Sequence, residues 1–171
     1  MRLELSNCVV RLMQLNDAPG LARHGNNPNV SANNNLPLPM TLDAAQQWLE
    51  ARLNQSTTVL CAIEVDWEVV GAIGLTVQPG LKSHSAEIGF WLGEKYWNKG
   101  ITTEAVRAFT EYGFTQHGLS RIYAHVFSWN AASMRVLEKC GYQREGWLRQ
   151  SVVKGGKLVD QAFYAKLRDD H

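Results

Sequence analysis

A strand-like run, a glycine and a helix-like run follow one another between Glu87 and Gln116, and this order constrains the fold more than any other feature of the chain. Glu87-Ile88-Gly89-Phe90-Trp91-Leu92 is short and apolar. After a seven-residue connection, Gly100 opens a stretch in which Ala105, Phe109, Tyr112 and Gly113 share one helical face. Ile122 to Phe127 is a second short apolar run beyond it. Strand, helix and strand in that order make a crossover, which joins two strands in parallel. The turn also has a chemical consequence. The first amides of a helix lack internal partners and carry the positive end of the peptide dipoles, glycine lets an anion approach them closely, and Lys99 adds a full charge. The spacing is neither Gly-x-x-x-x-Gly-Lys-Ser/Thr nor Gly-x-Gly-x-x-Gly, so nucleotide hydrolysis and hydride transfer lose support. On spacing alone, an ordinary capped turn competes evenly with an anion site.

The remaining elements arrange themselves around this unit. Cys8 to Gln14 reads as a first strand, and Asn16, Asp17 and Pro19 mark a short helix after it. Gly25 to Pro39 is crowded with asparagine and proline, which predicts a long irregular connection of the kind that often carries function. Thr41 caps a helix with Leu42, Ala45, Trp48, Leu49 and Leu53 along one side. Thr57 to Val65 and Glu68 to Val77, joined by Asp66-Trp67, predict an antiparallel hairpin. Asn130 to Cys140 reads as a short helix closed by Gly141, and Tyr142 to Val153 pairs with Leu158 to Leu167 around Lys154-Gly155-Gly156-Lys157. No polar linker or fixed-period repeat interrupts residues 1–171, so the expectation is a single domain of mixed α/β class with a largely antiparallel sheet.

Composition excludes several functions. Lys and Arg total 17 against 16 Asp and Glu, a net charge of +1 that leaves no field for attracting DNA or RNA. The best apolar run, Val69 to Val77, holds two glycines and a threonine and falls well short of the roughly 20 residues that cross a bilayer. An export signal is missing at the amino end, which gives a cytoplasmic expectation. Cys8, Cys61 and Cys140 are scattered in apolar surroundings and read as core filler, and the five histidines show no ligand spacing, so no metal is expected. Trp48, Trp91 and Trp129 read as walls of a substrate cleft rather than nucleic-acid platforms.

Three motifs in order resemble the GNAT superfamily of acetyl-CoA-dependent N-acetyltransferases, and within it the RimJ/RimL-type branch that modifies ribosomal proteins. The first is Ala86-Glu87-Ile88-Gly89-Phe90-Trp91-Leu92 followed by Tyr96-Trp97-Asn98-Lys99-Gly100-Ile101-Thr102-Thr103-Glu104-Ala105. The second is Asn130-Ala131-Ala132-Ser133 with Leu137, Glu138, Lys139, Gly141 and Tyr142. The third is Glu145-Gly146 with Asp160 and Tyr164. The resemblance spans nearly the whole chain and implies a GNAT fold: a mixed, mostly antiparallel seven-stranded sheet with about four helices, splayed where acetyl-CoA binds.

The resemblance also implies roles. Main-chain groups of Phe90, Trp91 and Leu92 would pair with the pantetheine arm, Trp97, Asn98, Lys99, Gly100, Ile101, Thr102 and Thr103 would form the pyrophosphate loop, and Asn130 and Ser133 would face the same donor. Trp97 and Thr102 depart from the usual Gln/Arg-x-x-Gly-x-Gly/Ala pattern at its outer positions. Glu87 resembles a catalytic base, against the alternative that it only orders the sheet, and Ser133 would protonate the sulfur unless it merely caps its helix. A backbone amide near Phe90 or Trp91 would stabilise the developing oxyanion. Two proton-handling slots of relatives hold Leu137 and Val152 here. The implied activity is direct acetyl transfer to a primary amine, a protein N-terminal α-amine first, with a polyamine, amino acid or antibiotic amine, or a non-catalytic acyl-CoA-binding module, as alternatives. Partners are then acetyl-CoA and the amine acceptor, with no nucleic acid and no membrane; a homodimer is compatible with this.

Overall fold

In a computed structural model describing residues 1–170, eight strands form one sheet. They are β1 (Arg2–Glu4), β2 (Val9–Leu12), β3 (Thr58–Val65), β4 (Glu68–Val77), β5 (Ser85–Leu92), β6 (Arg121–Phe127), β7 (Gln143–Lys154) and β8 (Lys157–Leu167), in the spatial order β1-β2-β3-β4-β5-β6-β8-β7. Five α-helices accompany them: α1 (Ala18–Gly25), α2 (Pro28–Ala32), α3 (Leu42–Leu53), α4 (Ile101–Gln116) and α5 (Ala131–Lys139). Every strand pair is antiparallel except β5–β6, the crossover through α4. The expected architecture is present with one strand and one helix more than anticipated. The additional strand is β1, a three-residue edge paired with β2. The additional helix lies inside the stretch expected to be irregular: the Asn27 side chain accepts from the amides of Asn29 and Val30, and Pro28 sits in the first turn, where its missing N–H does no harm.

Alternation along the strands divides the interior into two layers. Ile73, Leu75, Ala86, Ile88 and Ile122 pack on one face with Ala105, Val106 and Phe109 of α4. On the other, Leu60, Ala62, Ala72 and Trp91 meet Leu21 of α1 and Leu49 of α3. Gly113 lets α4 lie close to the sheet, since a Cβ there would stand 2.8 Å from Leu75 Cδ1 and 2.9 Å from Ile122 Cδ1. Burial pushes the Cys8 thiol up to about 11 and the Cys61 thiol to about 12, in keeping with their role as filler.

The amino-terminal strand is fastened by a charged network. The Arg11 guanidinium donates to both Asp17 carboxylate oxygens at 2.9 and 2.8 Å and to Glu64 at 2.7 Å, and only 6% of the Asp17 and 8% of the Glu64 side chain is exposed. Arg11→Met would leave the buried Asp17 without its cation and Glu64 with only Arg2, whose Nη1 stands 3.9 Å away, so a loss of about 3–5 kcal/mol is expected in urea unfolding. A loss no larger than that of an ordinary surface substitution would contradict this role.

The crossover also opens the sheet. The β5–β6 ladder contains only Ser85↔Arg121, Ala86↔Ile122 and Glu87↔Tyr123, after which the two strands part.

Candidate active site

Beyond Glu87, the alternation of hydrogen bonds decides which main-chain groups the parting strands expose. The Gly93 amide donates to the Val70 carbonyl at 2.8 Å, which makes Trp91 and Gly89 the residues that exchange bonds with β4. The N–H and C=O of Phe90 therefore point away from β4, into the gap. The Leu92 carbonyl is taken by Trp97 Nε1 at 2.7 Å, which ties the connection back onto its strand.

Two cavities open from this gap. The larger, of about 510 Å³, is lined by Phe90, Trp91 and Leu92, by Tyr96 through Thr103, and by Asn130 and Ser133 from the start of α5. Gly100 is the N-cap of α4 in a left-handed conformation, φ 79°, and supplies no capping side chain. The amides of Ile101, Thr102 and Thr103 thus begin the helix without protein acceptors. Lys99, Arg135 and Lys139 line this cavity and no carboxylate does, so both the dipole and the formal charges favour an anion.

The second cavity, of about 350 Å³, has a floor of β3 to β6 residues that includes Thr58, Thr76, Glu87, Gly89 and His125. Its walls are Asn33 to Leu36, Trp48 and Arg52. Asn33, Asn34, Phe90, Trp91 and Ser133 line both cavities, so the two meet where the strands part. Trp91 Nε1 is buried at this junction without a hydrogen-bond partner among the described residues.

The expected residues fall on these walls in an informative way. Glu87 lies in the second cavity with its side chain 40% exposed, and its Oε1 stands 2.8 Å from His125 Nδ1. With Glu87 ionised, that bond places the proton on Nδ1 and leaves Nε2 as an acceptor. The ring is held by Tyr123 and Phe163 at centroid separations of 5.7 and 5.0 Å. Spacing along the chain leaves His125 among scattered histidines; the Glu87↔Tyr123 register reveals it, since residues 123, 125 and 127 then share the face of Glu87. Ser133 does not cap α5 with its hydroxyl. Asn130 does so, accepting from the Ser133 amide at 3.1 Å, while Asn130 Nδ2 donates to Ser133 Oγ at 3.0 Å. Ser133 thereby receives one bond and keeps its own proton to give.

Other expectations are redirected. Trp48 and Trp91 line the cleft, whereas Trp129 lies outside both cavities and stacks on Phe127 at 5.0 Å. Leu137 is fully buried in the core, and Val152 pairs with Val159 in the terminal hairpin. Glu145 pairs with Arg121, Asp160 accepts from Trp147 Nε1, and the buried Tyr164 hydroxyl donates to Glu138.

The asparagine-rich segment bridges the parted halves. Asn27 and Asn29 side chains donate to Glu94 at 2.7 and 2.8 Å on the β5 side, and these bonds hold the Glu94 carboxyl below its ordinary range. On the other side, Lys154 Nζ donates to the carbonyls of Ser31 and Asn34 at 2.9 and 2.6 Å. Hydrogen bonds from a charged donor contribute about 1.5–3 kcal/mol each, so Lys154→Met should speed limited proteolysis within residues 27–36 by about tenfold or more. Unchanged cleavage would show that the lysine does not hold the segment.

Comparison with known proteins agrees with this geometry. The acetyltransferase (GNAT) domain family matches residues 7–143. An uncharacterized N-acetyltransferase of Bacillus licheniformis, p20, is 31% identical over 171 residues, covering 95% of this chain and 94% of its own. The L-amino acid N-acetyltransferase AaaT of Escherichia coli strain K12 is 26% identical, covering 96% of this chain and all of its own. Among solved structures, RimL, a ribosomal L7/L12 alpha-N-protein acetyltransferase in complex with coenzyme A, superimposes with a TM-score of 0.89 at 18% identity, covering 100% of both chains. The chain therefore belongs to the GNAT family and is an acetyl-CoA-dependent N-acetyltransferase.

Proposed function

We propose that the chain holds acetyl-CoA in the larger cavity and a primary α-amine in the smaller one, and transfers the acetyl group directly between them without an acyl-enzyme. The observation that carries this reading is the meeting of the two cavities at Phe90, Trp91 and Ser133, with the Glu87–His125 pair on one side and the uncapped start of α4 on the other. The donor is a substrate, and the residues fit it: the amides from Asn98 to Thr103, with Lys99, suit a diphosphate, and the free edge of β5 suits the amide groups of pantetheine.

Each chemical demand has a residue. Glu87, hydrogen-bonded to His125, takes the amine proton as nitrogen bonds to the acetyl carbon. The Phe90 amide, aimed into the gap, stabilises the oxygen that becomes negative. As the carbon–sulfur bond breaks, the Ser133 hydroxyl donates to the departing thiolate, which is finally protonated from water. Orientation of the two substrates in adjoining cavities supplies much of the remaining rate.

The acceptor we favour is a protein N-terminal α-amine, supported by the RimJ/RimL-type motifs and the fold shared with RimL. A free amino acid is the second reading, favoured by the full-length similarity to AaaT. One sheet running from Arg2 to Leu167 supports treating the chain as one catalytic domain. Free thiol release, followed across N-terminal peptides, amino acids and polyamines, tests the proposal. Turnover of α-amine acceptors is expected, and the absence of release with every amine would reject it.

A further inference from the structure

The smaller cavity carries two formal charges of opposite sign, and only one of them has a partner in the protein. Glu87 is bonded to His125. Arg52, in the last turn of α3, makes no ion pair and no side-chain hydrogen bond among the described residues. Its guanidinium instead lies over the ring of Trp48, 5.5 Å from the centroid, one helical turn earlier on the same wall. That contact fixes the direction of the fork without neutralising it. Its place in the last turn suits the dipole of α3, yet it donates to none of the last carbonyls, so its hydrogen-bonding capacity is unused.

We infer that Arg52 is a specificity-determining residue that binds a carboxylate on the acceptor, so that the preferred substrate is an amine that also bears an acidic group. This rests on the transferase reading above and narrows it. Glu87, Thr76 and Thr58 are register partners on successive strands, so the floor extends about 10 Å from the base toward α3. An amino acid, or the first residues of a peptide, spans that distance with the arginine side chain reaching inward. The remaining polar lining is neutral, from Asn33, Asn34, Asn35, Thr58, Thr76 and Gln161. The planar fork suits either a carboxylate or a phosphate in shape, but a single guanidinium balances the one charge of a carboxylate and leaves a dianionic phosphate with net negative charge beside Glu87. A polycation is disfavoured, because a site with one carboxylate and an unpaired arginine repels its second charge.

The test is calorimetric titration of the protein, with and without CoA, using two matched pairs: leucine against leucinamide, and the dipeptide amide Ala-Glu-NH2 against Ala-Gln-NH2. The carboxylate member of at least one pair should bind about tenfold more tightly, the scale of one partly exposed charge-assisted bond. Arg52→Gln should level that pair by weakening only its carboxylate member, and Arg52→Lys should keep part of the difference. A preference confined to the first pair assigns a free amino acid; one confined to the second assigns an acidic protein N-terminus. Equal affinities within both pairs, or a preference that survives Arg52→Gln, would overturn the inference. Because binding is read without turnover, these outcomes stand apart from the thiol-release assay, whose failure would count against the transferase reading instead.

Discussion

Replacing Gly100 by glutamate is expected to weaken acetyl-CoA binding by about 100-fold or more while leaving the chain folded. The glycine adopts φ 79° at the N-cap of α4, and an added Cβ meets nothing within 4 Å, so a side chain there is accommodated in space. Two effects act on the ligand. The glutamate carboxylate would fold onto the open amides of Ile101 to Thr103 as a capping group, and it would repel the diphosphate that those amides are proposed to hold. Gly100→Ala separates charge from backbone strain. It should cost stability about 1–2 kcal/mol through the left-handed conformation and retain most of the affinity. Equal affinity in Gly100→Glu and the wild type would remove the cradle from the donor site.

Glu87→Gln is expected to lower kcat by about 100-fold or more and to leave the acetyl-CoA dissociation constant unchanged. The amide preserves the volume and can still bond to His125, so the floor of the smaller cavity stays in place while the proton acceptor is lost. His125→Gln distinguishes the two members of the pair. A smaller fall than for Glu87→Gln, with a displaced pH profile, places the proton on the carboxylate; an equal or larger fall places it on Nε2. Wild-type turnover in Glu87→Gln would return Glu87 to ordering the sheet.

The elements set by local chemistry were legible in the chain. The start of α4 was visible because Gly100 breaks the strand-to-helix connection, and the observed helix is Ile101–Gln116, as the apolar spacing implied. Asp66 and Trp67 both adopt positive φ, 50° and 66°, the turn that closes β3 onto β4. Elements that depend on partners were hidden. β1 is three residues long and exists because β2 offers it an edge. α2 was hidden for a different, local reason: asparagine and proline signal loops in general, yet one asparagine as cap and one proline in the first turn start a helix.

The site divides in the same way. Phe90, Trp91 and the residues from Trp97 to Thr103 are contiguous with the turn, and the chain alone brought them together. Ser133 was marked by its spacing from Asn130, but the hydrogen bond from Asn130 Nδ2 to its Oγ, which leaves its own proton to be donated, required coordinates. His125 and Arg52 were out of reach because each joins the smaller cavity across a tertiary interface. One needs the β5–β6 register, the other the packing of α3 above β3. Leu137 and Val152 lie in the core and in the outer hairpin, so the proposed proton transfers rest on Glu87 and Ser133, which the motifs marked, with His125, which they did not.

Paired titrations of the protein with acetyl-CoA and with acetyl-pantetheine, which has the same thioester and arm but no diphosphate, test the cradle most directly. Saturable heat and thermal protection are expected with acetyl-CoA, and binding about 100-fold weaker with acetyl-pantetheine, because the amides opening α4 and Lys99 would then have no anion to hold. Equal affinity for the two compounds, or no heat and no protection with either, would contradict it.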